Sequence, residues 1–234
     1  MIPSPDAPPE PAARRPHIGR VVQRGVAFDP KNDPAAVAAG DLIGSVERLF
    51  DRLDARGVDY VLVGGVAMLQ YVEGRNTQDL DLIVALDELE AVPGVEVTER
   101  GAPNFARATF EGVQIDVLRA EHALFGEVRR KHGTERDFAE RRIRCATVEG
   151  LLLLKLFALP SLYRQGDFAR VGMYENDVAT LLQKYDPDLE PLFETLRSHV
   201  LDTDRHEMRS IVSEIRQRIE RFDQRRPPDE SDDA

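Results

Sequence analysis

One cysteine, Cys145, stands in 234 residues. An internal disulfide and a cysteine-built zinc site are therefore excluded, and a reducing cytoplasm is the simplest setting. No apolar run approaches membrane-spanning length. The longest, LLLLKLFAL at 151–159, has nine residues and contains Lys155, so it reads as the buried face of a helix and no membrane association is expected. A charged start followed by an apolar core, the mark of a secretory signal, is also missing. Positive charge is not in excess: the formal net charge is −11. That argues against a protein coating nucleic acid through a broad basic surface, because such binding runs on phosphate neutralisation. A local basic groove stays open. None of the five histidines pairs with another at ligand spacing, so none is assigned to a metal.

Residues 1–16 hold six prolines and almost no large apolar side chain. Such a segment cannot bury enough surface to offset its ordering entropy, and 1–34 is expected to be a flexible arm. A helix is predicted from about Asp41 to Arg56, where Leu42, Ile43, Val46, Leu49, Phe50 and Leu53 recur at helical spacing before Gly57. VDYVLVGG then reads as a buried strand ending at Gly64-Gly65, 66–72 as a short helix, and DLDLIVAL as a second strand. Further strands are predicted at Val95–Thr98, Phe105–Phe110 and Val113–Leu118, the last two joined by a Glu111-Gly112 turn. Beyond residue 120 the pattern turns helical, near 121–131, 148–159, 174–184, 189–200 and 204–222. The expected fold is α+β, a mixed sheet flanked by helices and followed by a helical C-terminal domain. The expected units are a core over 35–120, a helical domain over 121–223 and a solvated tail over 224–234.

The stretch VLVGGVAMLQYVEGRNTQDLDLIV carries the chemistry. Side chains two apart on a strand share a face, so Asp79 and Asp81 project together while Leu80 and Leu82 face the other way. Two carboxylates this close repel unless a cation lies between them. Hard oxygen ligands on a rigid strand suit Mg²⁺, which takes one or two carboxylates plus phosphate oxygens. VQIDVL offers a third carboxylate, Asp116, whose neighbours Ile115 and Val117 point away from it. Gly64 and Gly65, at a strand-to-helix turn, permit close approach of a phosphate to backbone N–H groups. Arg75 and Thr77 are placed to hold a triphosphate. Lys155, inside an apolar helical run, is costly to bury unless paired, so it either reaches outward to solvent or meets an anion; a triphosphate or Asp177 would serve. From Arg129 to Arg144 seven Arg and Lys residues alternate with acids. They form either a local RNA-holding strip or, as mixed signs favour, a salt-bridged surface.

The ordered set of Gly64-Gly65, Asp79 and Asp81, then Asp116 resembles the signature of the polymerase-β-type nucleotidyltransferase superfamily. The forms GG-x-A and R-x-T-x-D-L-D are more particular and resemble the AbiEii-like toxins of type IV toxin–antitoxin systems. That branch has a Lys on an apolar helix and an Asp on a later one, similar to Lys155 and Asp177 here, with Asp167 a competing candidate. The resemblance implies a cytoplasmic enzyme that moves NMP from an NTP to an acceptor hydroxyl, with Asp79, Asp81 and Asp116 on Mg²⁺ or Mn²⁺. Gly64, Gly65, Arg75, Thr77, Lys155 and Asp177 would bind the nucleotide. A tRNA or a protein would be the acceptor, with a cognate antitoxin as partner. The alternatives are an aminoglycoside-type antibiotic nucleotidyltransferase and a non-catalytic nucleotide-binding protein of the same fold.

Overall fold

Val46, Leu49, Phe50 and Leu53 fall at helical spacing and are all buried on the inner side of helix α1 (Ala39–Ala55). Gly57, at φ +64°, ends it in the left-handed conformation that a side chain would resist. The computed structural model describes residues 39–72, 79–101, 103–138 and 141–224. The expected N-terminal arm and nearly all of the expected tail lie outside the described residues, as do Arg75 and Thr77.

After α1 the chain forms β1 (Val61–Val63), α2 (Gly64–Met68), β2 (Leu80–Val84), α3 (Leu86–Glu90), β3 (Val95–Glu99), β4 (Phe105–Phe110) and β5 (Val113–Arg119). Next come α4 (Ala123–Lys131), β6 (Gly133–Phe138) and β7 (Arg141–Ala146). The described chain ends with α5 (Val148–Gln165), α6 (Phe168–Tyr185), α7 (Glu190–Arg197) and α8 (Asp202–Asp223). The seven strands form one mixed sheet in the order β3-β4-β5-β2-β1-β7-β6. β2 pairs parallel with β5 and β1 parallel with β7, and the remaining neighbours are antiparallel. The fold is α+β with a helical C-terminal region. Among the described residues no helix is long and apolar enough to cross a membrane.

The β4–β5 hairpin turns on Glu111 at φ +47° and Gly112 at φ +83°, two positive values in a row. This is the primed turn whose twist matches the flanking strands, and it fixes the pairing of Phe110 with Val113 and of every residue outward from them. One sheet face, with Leu80, Leu82, Ala108, Phe110, Ile115 and Val117, is buried. Phe110 on that face lies under Arg52 of α1, 5.0 Å away. The opposite face carries Asp81 and Asp116.

Two features depart from the sequence reading. Strands β6 and β7 occupy the charged stretch between α4 and α5, and β7 joins the sheet beside β1. Their outward positions carry arginines and acids that pair with one another, which hides the alternation of Phe138, Ile143 and Cys145 inside. Helix α5 runs through Pro160 to Gln165 instead of ending near Leu159. Proline removes one backbone donor and crowds the preceding turn. Here burial of Leu156, Leu159, Pro160 and Leu162 on the core side outweighs that cost. Cys145 is fully buried, as expected of a small apolar side chain, and burial pushes its thiol up to about 12, far from nucleophilic.

Candidate active site

Asp81 and Asp116 face each other across β2 and β5, in register on parallel strands. Neighbouring strands lie about 4.8 Å apart, so the two carboxylates leave the same sheet face side by side. Leu80 and Ile115, their neighbours, are paired likewise and buried on the other face. The row extends to Val63 of β1 on one side and Arg107 of β4 on the other.

Gly64 makes room for this pair. A Cβ at that position would lie 1.9 Å from Asp81 Oδ2 and 2.7 Å from Asp81 Cβ, and the residue holds φ +63°. Both the space and the conformation demand glycine. The Gly65 amide donates to Asp81 Oδ2 at 3.4 Å. Burial, with the Asp116 charge second, pushes Asp81 up to about 7 against the opposing pull of the Gly65 amide and Lys155. The protonated form of Asp81 is thus favoured first by its burial and second by the neighbouring carboxylate.

Asp116 is fixed from the hairpin. Arg107 Nε donates to its Oδ1 at 3.0 Å and Gln114 Nε2 to the same oxygen at 3.2 Å. Arg107 is itself held by Glu99 at 3.3 Å. Sequence reasoning missed this support, although the signal was present: counting outward from the Glu111-Gly112 turn sets Arg107 opposite Asp116.

Asp79 precedes β2 and is not part of the ladder. It is half-buried, and its charge reaches both Asp81 and Arg107. Among the described residues no group of three or more His, Cys, Asp or Glu is gathered tightly enough to hold a metal. The expected trio is thus a close pair with a third carboxylate at electrostatic range.

Lys155 comes from α5, a helix capped by Thr147, whose Oγ1 accepts from the Gly150 amide at 3.2 Å. Its Nζ lies 2.6 Å from Asp177 Oδ2 on α6, with the two side chains 6% and 4% exposed. It also sits 4.5 Å over the Tyr174 ring. Lys155 lines the cleft that holds Asp81 and Asp116, whereas Asp177 stands behind it and is not part of the lining. Asp167 is elsewhere, capping α6 through the Arg170 amide at 3.2 Å.

A single cleft of about 960 Å³ joins Gly64, Asp81, Asp116, Arg107 and Lys155. None of the charged strip's described residues lines it. Arg129 and Arg144 both meet Asp59, Arg141 meets Asp51, Arg142 meets Glu135, and Lys131 meets Glu127. These pairs match a salt-bridged surface better than an RNA groove.

No family model and no curated protein matches the chain. Among solved structures, it is similar to an antigenic nucleotidyltransferase-like protein from Paracoccidioides brasiliensis, at 17% identity and TM-score 0.47 over 76% of this chain and 94% of that one. It is similar at 17% identity and TM-score 0.46 to ANT(2'')-Ia in complex with adenylyl-2''-tobramycin, over 76% of this chain and 98% of that one. Terminal uridylyl transferase 4 from Trypanosoma brucei with bound CTP is similar at 15% identity and TM-score 0.31, over 79% of this chain and 62% of that one. Likenesses this distant say nothing of the reaction, which the side chains have to specify.

Proposed function

We propose that the chain transfers a nucleotidyl group from an NTP to an acceptor hydroxyl, with a divalent cation, Mg²⁺ or Mn²⁺, on Asp81 and Asp116 and with Asp79 as a third ligand. The observation that carries this reading is the in-register pair of carboxylates beside a glycine that no other residue can replace. Two hard oxygen donors that repel each other, in a cleft with a lysine opposite, fit a small divalent cation completed by phosphate oxygens. Bound there, such a cation supplies charge neutralisation for the triphosphate and lowers the pKa of a coordinated hydroxyl.

The chain's own residues do the rest by positioning and charge. Arg107 and Gln114 occupy Asp116 Oδ1, leaving Oδ2 to take the proton of the acceptor hydroxyl. Lys155, held in place by Asp177 at 2.6 Å, presents its ammonium to the triphosphate. The backbone at Gly64 and Gly65 lets the phosphates approach, and Arg75 and Thr77 are assigned to the same triphosphate. The motif resemblance favours a cytoplasmic, toxin-like enzyme with a cognate antitoxin. It offers a tRNA or a protein hydroxyl as acceptor, with an aminoglycoside as the alternative.

The test is transfer of label from each α-³²P-NTP, with Mg²⁺ or Mn²⁺, to total tRNA, to protein and to an aminoglycoside. Asp81→Asn and Asp116→Asn should each lower transfer by at least about a hundredfold. Equal transfer by the wild type and both variants sinks the proposal. An NTP- and metal-dependent thermal shift without transfer to any acceptor would favour the non-catalytic nucleotide-binding reading.

A further inference from the structure

Half of the cleft has no task in holding a triphosphate. Two residues from the Arg107–Asp116 row, the same sheet face carries Phe105 opposite Leu118. That step is about 7 Å along the strand. The Phe105 ring meets Phe125 edge-on at 5.6 Å, and Phe125 meets Phe157 at 6.0 Å. β4, α4 and α5 thus each contribute a ring to one wall. Phe105 nonetheless stays 48% exposed, and Leu201 at the rim 70% exposed. Apolar surface of this size, left open inside a cleft, marks a ligand site more often than a packing fault.

The polar end of this half is His199. Its side chain is 10% exposed, and its Nε2 lies 3.6 Å from Glu127 Oε2. Glu127 faces it there, so His199 closes the wall of the cleft and the hydroxyl of an occupant is left to Asp116.

Charge narrows the occupant. Besides Asp81 and Asp116, the carboxylates lining the cleft are Glu99 and Asp204. Each faces an arginine, Glu99 with Arg107 at 3.3 Å and Asp204 with Arg164 at 2.7 Å. A polycationic acceptor therefore finds its counter-charges already neutralised. A polyanion finds Arg107 and Arg164 already engaged by carboxylates and Arg170, the third arginine of the lining, set over the Tyr174 ring at 5.9 Å.

We propose that this half is the acceptor subsite and that it takes a small, uncharged ring compound bearing a hydroxyl, such as a phenol. The ring lies among Phe105, Phe157 and Leu201, and the hydroxyl reaches Asp116. The proposal rests on the nucleotidyl-transfer reading. The acceptor O–H gives its proton to Asp116 Oδ2 as its oxygen bonds to the α-phosphorus. The bond from that phosphorus to the bridging oxygen breaks, and pyrophosphate leaves with the electron pair. At about 960 Å³ the cleft is at the upper end of the range for a single drug-sized ligand, and it has room for two small substrates.

The probe is 2-naphthol, followed first by its own fluorescence on titration with the full-length protein and then as an acceptor of α-³²P label. Binding should weaken about tenfold in Phe105→Asp, since one exposed ring is lost and a charge is placed on the wall. Leu201→Asp, at the exposed rim of the same wall, should weaken it about threefold to tenfold by placing a charge beside the ring. Phe105 is half-exposed, so its substitution leaves the core intact, and circular dichroism checks the fold of both variants. Binding with these losses, together with labelling of 2-naphthol, supports the subsite. Absent binding at millimolar concentration, or binding indifferent to Phe105→Asp, overturns it. Labelling of tRNA, kanamycin or a tyrosine peptide in place of 2-naphthol also overturns it, while leaving nucleotidyl transfer standing. If 2-naphthol binds as expected but nothing is labelled, the transfer reading itself fails and the acceptor assignment falls with it.

Discussion

Lys155→Met tests both what holds the helices together and what the cleft does. The Lys155–Asp177 pair joins α5 to α6 at 2.6 Å, with both side chains nearly sealed from water. Removing one member of such a pair leaves its partner's charge facing a low-dielectric interior, a loss of about 3–5 kcal/mol. For a chain of this size each kcal/mol moves Tm by about 2–4 °C, so Lys155→Met should lower Tm by roughly 6–20 °C. Asp177→Leu should do the same. The double variant Lys155→Met with Asp177→Leu removes both charges and keeps the volume, and should recover most of the loss. Function should part company with stability here. Nucleotide binding, read as the thermal shift given by NTP and Mn²⁺, should stay weak in the double variant because no ammonium faces the triphosphate. Urea unfolding of the four proteins gives the coupling energy, which should exceed about 2 kcal/mol. Single variants costing under about 1 kcal/mol would refute the buried-pair reasoning. Full recovery of NTP binding in the double variant would refute the phosphate role of Lys155.

Three further outcomes are expected. Asp81 is raised from 3.8 to about 7, so the folded protein binds a proton that the unfolded chain has released across that window. Stability of the metal-free protein should therefore fall as pH rises from about 4 to 7 and then level off, by at most about 4 kcal/mol. Asp81→Asn should flatten that slope in urea unfolding with EDTA; an unchanged slope would show that Asp81 is not the group responsible. Gly64→Ala sets a Cβ 1.9 Å from the Asp81 carboxylate and should abolish the metal-dependent thermal shift, so a variant with normal metal response contradicts the cradle. Gly112→Ala, in the hairpin turn at φ +83°, should cost about 1 kcal/mol while activity survives. A large loss of activity there would mean that the hairpin sets the geometry of Asp116 more finely than its register implies.

Strand faces, bends and turns were legible in the chain alone. Alternation of carboxylates and leucines over Asp79–Leu82 placed Asp81 on a polar face, and the β-branched run before Gly64 announced a strand that ends in a bend. The two-residue turn at Glu111-Gly112 fixed a hairpin and placed Asp116 on it. The isolated lysine of an apolar helix allowed either an ammonium reaching outward to water or an anion partner, and the fold supplies the partner, Asp177. All of these are short-range signals, set by periodicity and by backbone angles within a few residues. Features that depend on distant segments meeting emerge with the folded arrangement. The parallel pairing of β2 with β5, which brings Asp81 beside Asp116, is a choice of strand neighbour that no local pattern encodes. The insertion of β6 and β7 beyond β1 was hidden because ion pairing across a sheet surface leaves the same mixed charge as a loop. The aromatic half of the cleft joins rings from β4, α4 and α5, whose sequence distances give no hint that they share one wall. Burial is a property of the assembled layers. A residue's own neighbours in the chain report its face but not the element it faces.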